Sequence, residues 1–134
     1  MTPTHALFRR LFAISNIRVD TYDFLPDAKS AYPFVYIGEN NGSDSPNKDL
    51  LGRLRQTVHL YGLRTDRANL DDISAYLESE VKRAHDGYDY HLYHVETSKQ
   101  IIPDNTDVQP LLHIVLDLTF DYTKKGELNG TNPR

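Results

Sequence analysis

Apolar residues recur first at helical spacing. Leu7, Leu11 and Ile14, with Phe8 and Phe12, repeat every three or four positions and predict a helix over about residues 5–15 with one buried face. Thr4 is placed to cap it, and Arg9 and Arg10 fall on its other side. The period then changes to two. Ile17, Val19 and Thr21 alternate with Arg18 and Asp20, the pattern of a half-exposed strand at a sheet edge, closed by a Pro26-Asp27 turn. Phe34-Val35-Tyr36-Ile37 is a short β-rich run started by Pro33, and a cleaner strand follows over about 53–61. There Leu54, Gln56, Val58 and Leu60 point one way, and Arg53, Arg55, Thr57, His59 and Tyr61 the other. Gln56 is the odd member of its apolar row.

Gly62 ends that strand, and "LRTDRANLDDISAYLESEVKRAHDG" carries the plainest helix in the chain. Thr65 or Asp66 can cap it. Asp71 and Asp72 come early and Lys82, Arg83 and His85 late, as the helix dipole prefers, with Gly87 as a left-handed stop. Leu70, Ile73, Leu77, Val81 and Ala84 make its buried stripe. A strand from Tyr90 to Thr97 is expected to give way before Pro103 to the turn-rich "PDNTDVQP". The last strand sets Leu112, Ile114, Leu116, Leu118 and Phe120 against His113, Val115, Asp117, Thr119 and Asp121.

Helix, three strands, helix and two strands in one domain predict an α+β fold, a mainly antiparallel sheet with both helices packed on one face. Residues 1–122 are expected to form that domain, with 123–134 as a mobile C-terminal tail. The sheet's other face is only half polar, since Tyr61, Val115 and the Tyr90 to Val95 region offer apolar surface suited to a partner. Between the second and third strands the polar "GENNGSDSPNKDLLG" is longer than a hairpin needs. Residues 39–50 have the composition of a segment that orders on binding.

Composition narrows the chemistry. The 134 residues include no cysteine, which removes disulfides, thiolate nucleophiles and Cys-based metal sites. A net charge of −4 with no basic stripe speaks against binding phosphate backbones. No signal-peptide pattern or membrane-length apolar run is seen, so a soluble protein made in a cytoplasm is expected. Asn41-Gly42-Ser43 and Asn129-Gly130-Thr131 read as turns. No nucleophile elbow, phosphate-binding glycine loop or zinc-helix motif is present, and no cofactor is expected.

His91 and His94 have helical ligand spacing but sit on a predicted strand, where they point apart. His59 and His113 can meet across adjacent strands, with Asp117 or Asp121 nearby. That face is the basis of an alternative function, a small ligand- or metal-binding domain. Asp44, Asn47 and Asp49 could approach calcium but lack the EF-hand's glycine and distal glutamate. Arg53 and Arg55 could grip an anion. Nine tyrosines without tryptophan suit an adaptable contact surface.

Four stretches resemble the tail terminator, or tail-completion, proteins of long-tailed phages of Gram-positive bacteria: "YPFVYIGE" (32–39), a polar loop with Lys48, "LGRLRQTVHLYG" (51–62) and "DRANLDDISAYL" (66–77). Size and element order are also similar to the siphophage tail-to-head joining protein and the lambda tail terminator class. The resemblance implies a virion protein of the head-tail junction rather than an enzyme. Such a protein binds the end of the tail tube, stops its polymerisation and docks to the head-completion protein of the connector. It also implies a six-fold ring formed on assembly, with DNA passing through the lumen without specific binding. Glu39, Asp44, Lys48, Asp49, Arg53 and Arg55 are the candidate assembly contacts.

Overall fold

A computed structural model describes residues 1–27, 31–42 and 50–126. The chain runs α1 (Pro3–Asn16), β1 (Asp20–Tyr22), β2 (Phe34–Gly42), β3 (Leu51–Leu63), α2 (Arg67–Lys82), β4 (Asp86–Gly87), β5 (Tyr90–Asp104) and β6 (Leu111–Lys124), with a short 3-10 turn Arg64–Asp66 before α2. One sheet of order β1-β2-β3-β6-β5-β4 holds every strand. All of its pairings are antiparallel except that of β1 with β2. This is the α+β architecture that the periodicities predict.

Both helices lie on one side of the sheet. Ala6, Leu7, Leu11 and Ile14 of α1 and Leu70, Ile73, Leu77 and Val81 of α2 form one core with Val35, Ile37, Val58, Leu60, Leu116, Leu118 and Phe120. The inward residues of β3 and β6 are those of the apolar rows, because a strand's side chains alternate between faces and only one face meets the helices.

Several boundaries move for local reasons. Thr2, rather than Thr4, caps α1, its hydroxyl accepting from the His5 amide, and Pro3 occupies the first turn where no donor is needed. The helix runs on to Asn16, so Ile17 is 81% exposed instead of starting a strand. Asp66 precedes α2 without a side-chain bond to the helix backbone, and Asp71 lies in the second turn, where it pairs with Lys99 at 3.9 Å. Gly87 is not the left-handed stop, for it lies in β4, and Tyr88 takes the positive φ of 65°. A Cβ at Gly87 would stand 2.7 Å from buried Leu92, so close approach explains the glycine. Asp86 accepts from Arg10 Nε through its carbonyl at 2.7 Å and pairs with Lys125, which ties α1, β4 and the end of β6 together.

β5 continues through Pro103 to Asp104 rather than stopping at Thr97. β4 pairs only with Tyr90 and His91, so the rest of β5 has no strand on its outer side among the described residues, and a proline is tolerated on such an edge. β2 likewise runs to Gly42, which makes Asn41-Gly42 strand rather than turn and shortens the expected loop. Residues 43–49 lie outside the described residues, as does 127–134 of the expected tail.

Gln56 explains itself at this point. The register slips by one residue between Ile37 and Asn40, a bulge that turns backbone carbonyls out of the ladder. Gln56, 2% exposed, fills the gap: its amide nitrogen donates toward the carbonyls of Gly38 (3.1 Å), Glu39 (3.0 Å) and Thr57 (3.0 Å), and its oxygen accepts from Asn40 (3.0 Å). A polar residue in the apolar row is therefore a backbone substitute. Replacing Gln56 by Leu keeps the volume but strands the bulge carbonyls, and is expected to destabilise the fold by about 2–3 kcal/mol in urea unfolding, against about 1 kcal/mol for Asn40→Ala. Equal stability of the Leu variant and the parent would refute this role.

Candidate interaction face

The sheet face away from the helices is where the candidate residues gather. On β2 it carries Phe34 and Tyr36, on β3 Tyr61, His59, Thr57, Arg55 and Arg53, and on β6 His113, Val115, Asp117, Thr119 and Asp121. Their rings form a continuous stack: Tyr32 on Phe34 (5.5 Å), Phe34 on Tyr61 (5.2 Å), Tyr61 on His113 (4.1 Å, 10° between planes), His113 on His59 (4.9 Å) and His59 on Tyr36 (5.3 Å). Tyr22 meets Phe34 edge-on at 5.9 Å. The cluster buries Phe34 to 4% exposure although no helix covers it. Ring on ring thus replaces ring on core, with the offset contacts that aromatic quadrupoles favour.

The two histidines meet as their register allows. His59 faces Val115 and His113 faces Tyr61, so they are diagonal neighbours, and His59 Nδ1 lies 2.7 Å from His113 Nε2. The acid beside them is Glu39 rather than Asp117 or Asp121. Its Oε1 stands 2.9 Å from His59 Nε2, while Asp117 accepts from Thr57 at 2.7 Å and Asp121 takes Arg53. Glu39, His59 and His113 are a hydrogen-bonded row, and a proton between the two ring nitrogens can be contributed by only one of them. Burial, and then His59, hold the His113 imidazole below its ordinary value, with Asp104 and Glu39 pulling the other way. The hydrogen bond to His59 holds the Glu39 carboxyl below the usual range.

Among the other candidates, Arg53 forks onto Asp121 at 2.7 and 3.2 Å and is spent there, whereas Arg55 has no ion pair or hydrogen bond among the described residues. Asp44, Asn47, Lys48 and Asp49 lie outside the described residues. His94 faces the helix side, edge-on to Phe120 at 5.5 Å and 2.7 Å from the Thr97 hydroxyl, with a bulge following it. Burial and then Lys82 lower its pKa. Among the described residues no group of three or more His, Asp or Glu is placed to hold a metal, and no helix is long and apolar enough to cross a membrane.

Sequence reasoning passed over Tyr32 and Phe34 as parts of this face and offered Glu39 as an assembly contact without its partner His59. The alternation of rings at 32, 34 and 36 was a usable signal, but its alignment with 59, 61 and 113 appears only with the strand register. Tyr32 adds a contact no pattern reveals: its hydroxyl donates to Asp107 Oδ2 at 2.7 Å, across the sheet end, and burial followed by that bond pushes its pKa up to about 12.

No family model matches the sequence, and no curated protein does. Among solved structures the fold is similar to a chain from the virion of a native gene transfer agent particle, with a TM-score of 0.54 and 16% identity over 90% of this chain and 92% of that one. At that identity the likeness is one of fold.

The row of histidines has a pH signature. His113 binds its proton more weakly folded than unfolded, so its contribution to stability is complete above the unfolded value of about 6.5 and is lost as the pH falls through the folded value. His94 acts with the same sign. Thermal melts of His113→Asn and His94→Asn are therefore each expected to show a shallower fall in Tm than the parent between about pH 6.5 and the carboxylate range. A parent slope retained in His113→Asn would contradict the imidazole's assignment.

Proposed function

We propose that this chain is a structural virion protein of a phage-like particle and that it works where the tail ends. It binds the finished end of the tail tube, stops its growth and forms the surface that joins the head connector. The observation that carries this is the likeness, over nine-tenths of both chains, to a chain of a gene transfer agent virion. The stretches 32–39, 51–62 and 66–77 that resemble tail terminators supply the finer assignment, and they coincide with β2, β3 and α2, which build the ring-stacked face and the helix layer behind it.

The chemistry of the face agrees with contact rather than turnover. Arg53 and Asp121 neutralise each other there, and its half-buried rings offer area with polar tips, the character of protein interfaces. In this reading copies assemble as a six-fold ring at the tail end, with tail tube protein on one side and connector on the other. A net charge of −4 gives the passing duplex little to hold. The alternative ligand- or metal-binding function would centre on His59 and His113, but their facing nitrogens are engaged with each other at 2.7 Å and leave that reading without a vacant ligand set.

Deleting the gene from the phage-like element that encodes this chain is expected to give tail tubes longer than normal and heads without tails, seen by negative-stain microscopy. Gold-labelled antibody is expected at the head-tail junction of intact particles. Tails of normal length, or label at the distal tip, would overturn the proposal.

A further inference from the structure

At one end of the outer face the rings of Tyr32, Phe34 and Tyr61 wall a cleft of about 260 Å³ whose rim carries Asp27, Asp104 and Asp107. The walls are rigid, because each ring is stacked on the next and Phe34 is buried among them. Two of these carboxylates, Asp104 and Asp107, are oriented by hydrogen bonds at this end of the sheet. Asp104 Oδ1 accepts from the Thr106 amide (2.8 Å) and hydroxyl (2.7 Å), leaving Oδ2 without a partner among the described residues. Asp107 accepts from the Tyr32 hydroxyl (2.7 Å) and the Val108 amide (2.6 Å). Neither forms an ion pair with a lysine or arginine among the described residues. Arg64, on the same hairpin end, bonds Asn105 instead at 3.3 Å. The field at the cleft is accordingly negative: Asp107 and Asp104 both help to raise the Tyr32 pKa, and Asp104 helps to raise that of Tyr61.

Flat rings beside Asp104 and Asp107, which hold no lysine or arginine among the described residues, are complementary to a planar cation. A guanidinium stacks on an aromatic face and forks onto a carboxylate with the same group, which a compact ammonium does less well. We infer that this cleft receives an arginine side chain from a neighbouring protein of the particle. The inference rests on the proposed virion role for the source of that arginine, not for the chemistry of the cleft. The negative cleft favours a basic segment, and a chain of net charge −4 is a poorer source of one than a basic neighbour.

The test is an NMR titration of the protein, labelled in its aromatic rings, with N-acetyl-arginine-N-methylamide. Saturable shifts confined to Tyr32, Phe34 and Tyr61 are expected. Affinity should fall about tenfold in the combined Asp104→Asn and Asp107→Asn variant, which removes both charges with little change of shape, and the neutral citrulline analogue should not bind. Tyr61→Leu removes the stacking wall independently and should weaken binding as well. Absence of saturable shifts, or equal binding of citrulline, overturns the inference. So does the same shift pattern on adding calcium alone or on raising the protein concentration alone, which would show a metal or a second copy as the occupant. Particle labelling at the distal tip would remove the proposed virion role while leaving this titration intact, so the two failures are distinguishable.

Discussion

The pairing of β3 with β6 is the constraint on which the rest depends. Every residue from Leu51 to Leu63 faces one from Thr123 back to Leu111 without a slip. Because side chains alternate, a shift of one residue would carry Leu54, Val58 and Leu60 to the outside and drive Arg53, His59 and Tyr61 under the helices. The unbroken ladder thus sets two surfaces at once: a core of aliphatic side chains on one side and a ring-stacked, charged face on the other. The irregularities lie on either side of it, in the bulge of β2 opposite Gln56 and the bulge of β5 after His94.

This division explains what could be read from the chain. The helices and the two central strands were legible because burial on a single face writes a period of 3.6 or 2, and Leu70, Ile73, Leu77 and Val81 or Leu112, Ile114, Leu116 and Leu118 repeat it cleanly. The length of β5 was not legible. Its outer half is exposed on one edge, so Pro103 and mixed polar residues sit in a stretch of β5 that pairs with β6 alone among the described residues. Gln56 stood out as an anomaly, but its meaning required the bulge, which depends on a register between strands that no local pattern encodes. Gly87 misled for a related reason, since the same residue serves positive φ and close packing, and only the position of Leu92 separates them.

The candidate face was legible in part. The meeting of His59 with His113 followed from alternation alone, given that their strands are neighbours. Glu39 joins them because the bulge at Ile37 to Asn40 re-aims the end of β2, so a contact thought to belong to a polar loop belongs to the ring stack. Arg53 and Arg55 share a face as expected yet differ in state, the first bound to the Asp121 directly opposite it in the ladder, the second facing Thr119, which carries no charge.

The outer edge of β5 has a consequence in time as well as space. Beyond Leu92, whose amide donates to the His85 carbonyl at 2.9 Å, its backbone pairs among the described residues on one side only, with β6, and in an antiparallel ladder alternate residues turn their amides inward and outward. Protected and solvent-facing amides therefore interleave along a single strand, with the order reset by the bulge after His94. Hydrogen exchange along β5 would alternate between slow and fast from residue to residue, so that one strand carries two clocks, and an added strand from any neighbour would stop the faster of them.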